Sequence, residues 1–272
     1  LSERWGVPVV IDNRPGGSGT LAAATVAKAA PDGHTLLYVL PNFVISTALQ
    51  PSLPYDPLRD FNGVAQIGVS TNILVAAPSL GVRTVKDFIA LAQAQPGKLI
   101  FSSSATGSAA HLSGVRFNLA AGIKVIHVAY KGGPDAMLEV LAGRAHYHLG
   151  TLGVTIPYIK DGKLLALAVT SSQRTPALPD VPTLGETHTE FKRPETSHGL
   201  VVPAGTPRAI IQLISAETLR IVESAEMRER MQLIGFVPAA AGADEYGKVL
   251  RAQIEAMGRL VRDAGLKAKA AP

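Results

Sequence analysis

The sequence predicts an α/β protein of two lobes, the first of them discontinuous. Three observations predict it. The chain opens as strand, loop, helix, strand. Its middle runs strand, small polar loop, helix, and then strand and helix again. After the strand at Gly199–Pro203 it closes in long helices that belong with the opening segment. The expected boundaries are 1–76 with 200–272 for the first lobe and 77–199 for the second, with crossings near Ile73–Pro78 and Gly199–Pro203.

The elements follow in order. Leu1-Ser2-Glu3-Arg4 reads as the tail of a helix closed by Gly6, so a preceding N-terminal piece is expected. Val7–Ile11 is a continuous apolar run of the kind found in parallel sheets. A loop over 12–19 leads to an Ala-rich helix from Thr20 to Ala30, a turn at Pro31-Asp32-Gly33-His34, and a strand over Thr35–Leu40. This is the unit of a parallel sheet with right-handed crossovers. Asn42–Gln50 reads as a helix, and Leu53–Phe61 as a Pro-punctuated surface segment. Strands are expected at Val64–Ile67 and Ile73–Ala77, then a break at Pro78–Gly81 and a helix from Thr84 to Ala94.

The stretch from Phe101 to Gly133 carries the functional signal. Leu99-Ile100-Phe101 is long enough for a buried strand. It runs into Ser102-Ser103-Ser104-Ala105-Thr106-Gly107-Ser108, and a helical pattern follows at once. The first helical N–H groups lack intrahelical partners, and the helix dipole adds positive charge there. Ser103, Thr106 and Ser108 add hydroxyls, and Gly107 allows close backbone approach. A second strand ends at Tyr130-Lys131-Gly132 before another helix. Two such turns at one sheet edge aim several donors at one small acid.

Beyond it, helices are expected over Ala136–Ala142 and Thr155–Lys160. Strands are expected over Ala145–Leu149 and Leu164–Val169. A Pro-rich loop spans Thr175–Glu186, and helices span about 208–224, 225–233 and 243–264. His146-Tyr147-His148 alternates, which puts both imidazoles on one face of a partly exposed strand. No third zinc ligand is signalled.

Composition narrows the function. Hydrophobic residues make up 47% of the 272, enough for sizeable cores. Net charge is +5, but Lys and Arg are scattered and aromatics are only 5%, which argues against nucleic-acid binding. With no cysteine, disulfides and thiolate chemistry are excluded. No apolar run reaches the roughly 18 residues of a transmembrane helix. Two other readings stand beside anion binding. Gly17-Ser18-Gly19-Thr20-Leu21-Ala22 fits a dinucleotide-binding, Rossmann-like fingerprint, but the next strand ends without its carboxylate. Ser103 or Ser108 with His111 forms a candidate hydrolase pair, though the G-x-S-x-G order is absent and no acid is placed to orient the imidazole.

Seven segments in order resemble one family: Asn13–Gly19, Ala30–Leu37, Leu53–Phe61, Ser103–Leu112, His127–Gly133, Leu178–Thr183 and Pro203–Pro207. Together they resemble the Bug-type extracytoplasmic solute receptors of tripartite tricarboxylate transporters. The resemblance implies a two-lobed type II periplasmic binding protein (a Venus flytrap) with its ligand between the lobes. It implies a periplasmic receptor, a monomer with no cofactor and no chemistry. Such a receptor captures a small carboxylate (a di- or tricarboxylate, an aromatic acid or an amino acid) and delivers it to membrane transporter subunits. By position it assigns ligand binding to the Pro41-Asn42-Phe43 loop and to Ser103, Ala105, Thr106, Gly107 and Ser108. It adds Lys131 and the Gly150-Thr151 loop. The sequence departs from the family at Phe43, often His, at His146, commonly an acid, and at Ser197-His198, where an aromatic usually stands.

Overall fold

The structure, a computed structural model, describes residues 1–14, 19–50, 52–187, 197–233 and 235–266. The chain divides into two compact units. One holds Leu1–Val69 with the described residues of 195–230 and 238–272. The other holds the described residues from Ser70 to 194, with Met231–Val237.

The first unit begins with α1 (Ser2–Trp5), closed by Gly6. α2 (Thr20–Ala27), β1 (Leu37–Val39) and α3 (Pro41–Leu49) follow. β2 (Phe61–Ser70) lies between β8 (Ser197–Pro203) and β9 (Phe236–Ala241) in a sheet of order β1-β8-β2-β9. β1 and β2 both run antiparallel to β8. α9 (Arg208–Val222), α10 (Ala225–Leu233) and α11 (Ala243–Asp263) complete it. α11 buries Tyr246, Leu250, Gln253, Ile254, Met257 and Val261, a stripe at helical spacing, and packs on α3.

The expected strand at Val7–Ile11 does not form. Val10 and Ile11 are 83% and 82% exposed, and the Val9 N–H donates to the Ser2 hydroxyl instead of to a ladder. A continuous apolar run needs a neighbouring strand to satisfy its backbone, and no described residue supplies one. Conversely, β9 was not expected; Pro238 and its alanines hid it.

The second unit is built on β3 (Asn72–Ala76), β4 (Ile100–Ser103), β5 (Ile126–Ala129), β6 (Tyr147–Thr151) and β7 (Leu165–Val169), in the order β5-β4-β6-β3-β7. β4 runs parallel to β5 and β6; β3 runs antiparallel to β6 and β7. Because β3 pairs with β6 and β7, the chain enters this unit at Ser70, earlier than the crossing after Ala76 that the sequence suggested. Among the described residues, five α-helices connect and flank these strands: α4 (Val85–Ala94), α5 (Ala109–Ala120), α6 (Gly133–Leu141), α7 (Leu152–Lys160) and α8 (Leu184–Thr187). Thr84 caps α4 in a reciprocal box with Asp87.

On one face of the sheet Phe88, Phe101, Phe117 and Tyr147 pack with Leu149 and Leu167. On the other, Ile73, Val75, Val140 and Leu152 do the same. The histidine-rich strand is therefore interior. Tyr147 and His148 are buried, not partly exposed, because β6 lies between β4 and β3.

Candidate functional site

The three parallel strands β5, β4 and β6 each end at the same edge of the second unit's sheet, and each feeds a helix there. β5 leads to α6, β4 to α5 and β6 to α7. The pairings Phe101↔Tyr147 and Ser103↔Ala129 fix that alignment. Three helix N-termini thus stand side by side, each carrying unpaired N–H groups and the positive end of its dipole.

The β4–α5 loop has a defined shape. The Ser103 hydroxyl donates to the Ala105 carbonyl at 3.0 Å and lies 2.7 Å from His127 Nε2. A hydroxyl has one proton, so the imidazole N–H is the donor to Ser103. Gly107 sits at φ 80°, where a side chain would be strained. Its N–H donates to His111 Nδ1 at 2.9 Å. Ser108 is the N-cap of α5, its hydroxyl accepting from the His111 N–H at 3.2 Å. The Ala109 and Ala110 N–H groups are left without partners among the described residues. Ala105 and Thr106 are exposed at the tip.

Next to this loop, Asn72 on β3 faces Thr151 in register, and its side-chain amide donates to the Ser113 hydroxyl of α5 at 3.4 Å. The Thr71 carbonyl accepts from the Leu152 N–H at the start of α7. Thr71 is 1% exposed, yet its hydroxyl has no partner among the described residues. Buried hydroxyls are nearly always paired. Asn72, Ser113 and Thr71 were missed by sequence reasoning, since only strand pairing brings 70–72 beside 113 and 151.

The expected site residues divide between the two units. Ser103, Ala105, Thr106, Gly107, Ser108, Gly150 and Thr151 come together at the edge just described. Gly150 and Thr151 are the end of β6, not a loop beyond it. Gly150 is buried against His148 and Thr155, and an added Cβ would lie 2.8 Å from His148 Cδ2. Thr151 is exposed as the first residue before α7. Lys131 lies at the same end of β5, exposed in a surface cavity of about 610 Å³ with Asp135, Glu139 and Arg144. Pro41, Asn42 and Phe43 belong to the first unit and form the first turn of α3, not a loop. The Phe43 ring is buried, stacked on Tyr55 and edge-on to Phe61, and its N–H donates to the Leu40 carbonyl.

The Ser/His pair expected for hydrolysis does not form. Ser108 bonds the backbone of His111, and Ser103 meets His127 as an acceptor. Burial, with His127 beside it, lowers the His111 pKa to about 4, and burial lowers that of His127 too. Of the dinucleotide fingerprint, Gly17 and Ser18 lie outside the described residues. Among the described residues, no group of three His, Asp or Glu could hold a metal ion, and no helix is long and apolar enough to cross a membrane.

Comparison with known proteins adds identity to this geometry. The sequence profile described as "Tripartite tricarboxylate transporter family receptor" matches residues 1–266. Protein BugT of Bordetella pertussis is 31% identical over 272 residues, covering 99% of this chain and 83% of BugT. The R. palustris Rpa4515 structure with adipate is 30% identical at a TM-score of 0.84, covering 97% of this chain and 89% of that one. MatC from Rhodopseudomonas palustris with bound malate is 27% identical at a TM-score of 0.77, covering 96% and 90%. The fold is the two-lobed type II fold of periplasmic binding proteins, and these relatives are solute-binding receptors, not enzymes. The chain belongs to the tripartite tricarboxylate transporter receptor family.

Proposed function

We propose that this receptor captures a small organic carboxylate in the periplasm and presents it to the membrane subunits of a tripartite tricarboxylate transporter. It acts as a monomer and does not bind nucleic acid. The two compact units are read as its lobes. The observation that carries the reading is the row of three helix N-termini at the carboxyl edge of β5, β4 and β6, with the Ala109 and Ala110 N–H groups unpaired. Backbone donors at a helix N-terminus suit a carboxylate oxygen. The Thr106 and Thr151 hydroxyls and the Ala105 N–H, all on exposed residues, add donors around them. In the first unit Asn42, following Pro41 at the N-terminus of α3, carries further donors in its backbone N–H and side-chain amide; Pro41 has no N–H and sets the helix start. Ser103 and Phe43 contribute structure, since the hydroxyl of one and the ring and N–H of the other are already engaged.

Relatives crystallised with adipate and with malate make dicarboxylates of four to six carbons the first ligands to try. Calorimetric titration with these, and with aromatic acids, tests the reading. A ligand present at a hundred times its dissociation constant raises stability by about 2.7 kcal/mol. Neither heat nor a thermal shift with any acid refutes it.

A further inference from the structure

We propose that His111 is the positioning residue of the anion-binding loop: its neutral imidazole holds Gly107, and through Gly107 the backbone that faces the ligand. The inference rests on the receptor reading for its consequence, but its geometry stands alone. His111 is 3% exposed and lies in the first turn of α5. Its Nδ1 accepts the Gly107 N–H at 2.9 Å, while its own N–H is capped by Ser108. One side chain therefore ties down the residue before the cap, and its backbone ties down the cap itself. The residue so tied is the left-handed Gly107, the point where the loop would otherwise swing.

The ring is held by stacking. Its centroid is 4.0 Å from that of His127 at an interplanar angle of 23°. His127 in turn lies beside Phe101 and bonds Ser103, whose hydroxyl reaches the Ala105 carbonyl. Both ends of the loop, Ala105 and Gly107, are thus fastened to the same imidazole stack. Fixing a loop before the ligand arrives avoids the ordering cost at binding.

The bond also fixes the charge state. An Nδ1 that accepts an amide proton cannot carry one, so the tautomer is Nε2–H. The groups around it agree. From β5 the titratable neighbour is His127. From β4, Phe101 and Ser103 lie on this side. From β6, Tyr147 lies on this side but is committed to Asn118 Oδ1 at 2.6 Å, while His148 bonds the Ser102 carbonyl and meets Gly150 on the opposite side. On α5 itself, Arg116 is five residues on, well round the helix. Lys131 is exposed beyond the end of β5. No carboxylate among the described residues bonds the imidazole pair, and a proton on either ring repels one on the other.

The test compares the intact chain with His111→Asn, whose Oδ1 can stand where Nδ1 stands, and His111→Phe, which keeps a ring in the stack but has no acceptor. Two readouts are taken at neutral pH: exchange protection of the Gly107 amide by NMR, without ligand, and affinity for a bound dicarboxylate. The expected result is at least a tenfold loss of Gly107 protection and of affinity in His111→Phe, with both restored to within about threefold in His111→Asn. In the unsubstituted protein Gly107 protection is lost on acidification towards pH 4, and in His111→Asn it is not. Wild-type protection or affinity in His111→Phe overturns the proposal. If no acid binds the unsubstituted chain, the receptor reading fails, and the Gly107 amide still decides the role of His111.

Discussion

Replacing Gly114 with alanine tests the packing that sets α5, and with it the loop, against β4. In an ordinary helix interior this change stabilises by roughly 0.5–1 kcal/mol, because alanine loses less backbone entropy. Gly114 is not ordinary. A Cβ there would lie 2.0, 2.3 and 2.7 Å from three ring carbons of Phe101. That ring is 1% exposed and confined by Tyr147 at 5.0 Å and His127 at 5.4 Å. It has nowhere to turn, so the helix must retreat by roughly 1.5 Å to recover normal carbon–carbon contact. Overpacking of this kind costs about 1–3 kcal/mol, and with a contact as close as 2.0 Å the upper half of that range applies, about 2–3 kcal/mol; less the helix propensity of about 0.5–1, the net loss is about 1–2.5 kcal/mol. Gly258, inside α11, is the control. Its added Cβ meets only the end of Arg262, at 3.4 Å. There the same substitution should stabilise by about 0.5–1 kcal/mol. Urea unfolding followed by circular dichroism should move the two midpoints in opposite directions. The Gly114 variant should also bind ligand more weakly, because the N-terminus of α5 is displaced. A Gly114→Ala protein as stable as the parent would refute the argument.

Three further outcomes are expected. Stability should fall as pH drops from about 6.5 towards 4. Buried His111 and His198 have pKa values lowered to about 4, so the unfolded chain takes up protons that the native state refuses. Each contributes on the order of 3 kcal/mol, fully present above the unfolded pKa and gone below the native one; a stability that rises in acid contradicts this. Thr84→Ala removes the cap of α4 and should cost about 1 kcal/mol, read as a lower urea midpoint with unchanged slope. Tyr147→Phe leaves Asn118 Oδ1 without its 2.6 Å donor and should cost about 1–3 kcal/mol, whereas Phe88→Ala in the same cluster should cost about 3–5 kcal/mol.

Much of the local structure of the β4–α5 loop was legible in the sequence. Ser103 to Ser108 reads as a strand-to-helix turn because small hydroxylated residues and a glycine stand between an apolar run and a helical pattern, an arrangement that N-capping alone also favours. The cap at Ser108 and the left-handed Gly107 follow from local chemistry alone. The role of His111 was not legible. A histidine three residues after a serine suggests catalysis as readily as support, and its stacking partner, His127, is sixteen positions away on strand β5. Asn72 and Thr71 carried no signal, since a polar residue at a strand start is common and only the ladder to Thr151 gives it a place.

The sequence by itself determined the α/β class, the order of most strands and helices, and the Ser/Thr/Gly loop, because those depend on periodicity, turn chemistry and capping within a few residues. Tertiary structure decided which strands are neighbours. It withdrew Val7–Ile11 from the sheet, put Tyr147 and His148 in the interior, and set three helix N-termini at one edge. Those outcomes turn on which backbone groups find partners far along the chain, a competition that no local stretch of residues can resolve.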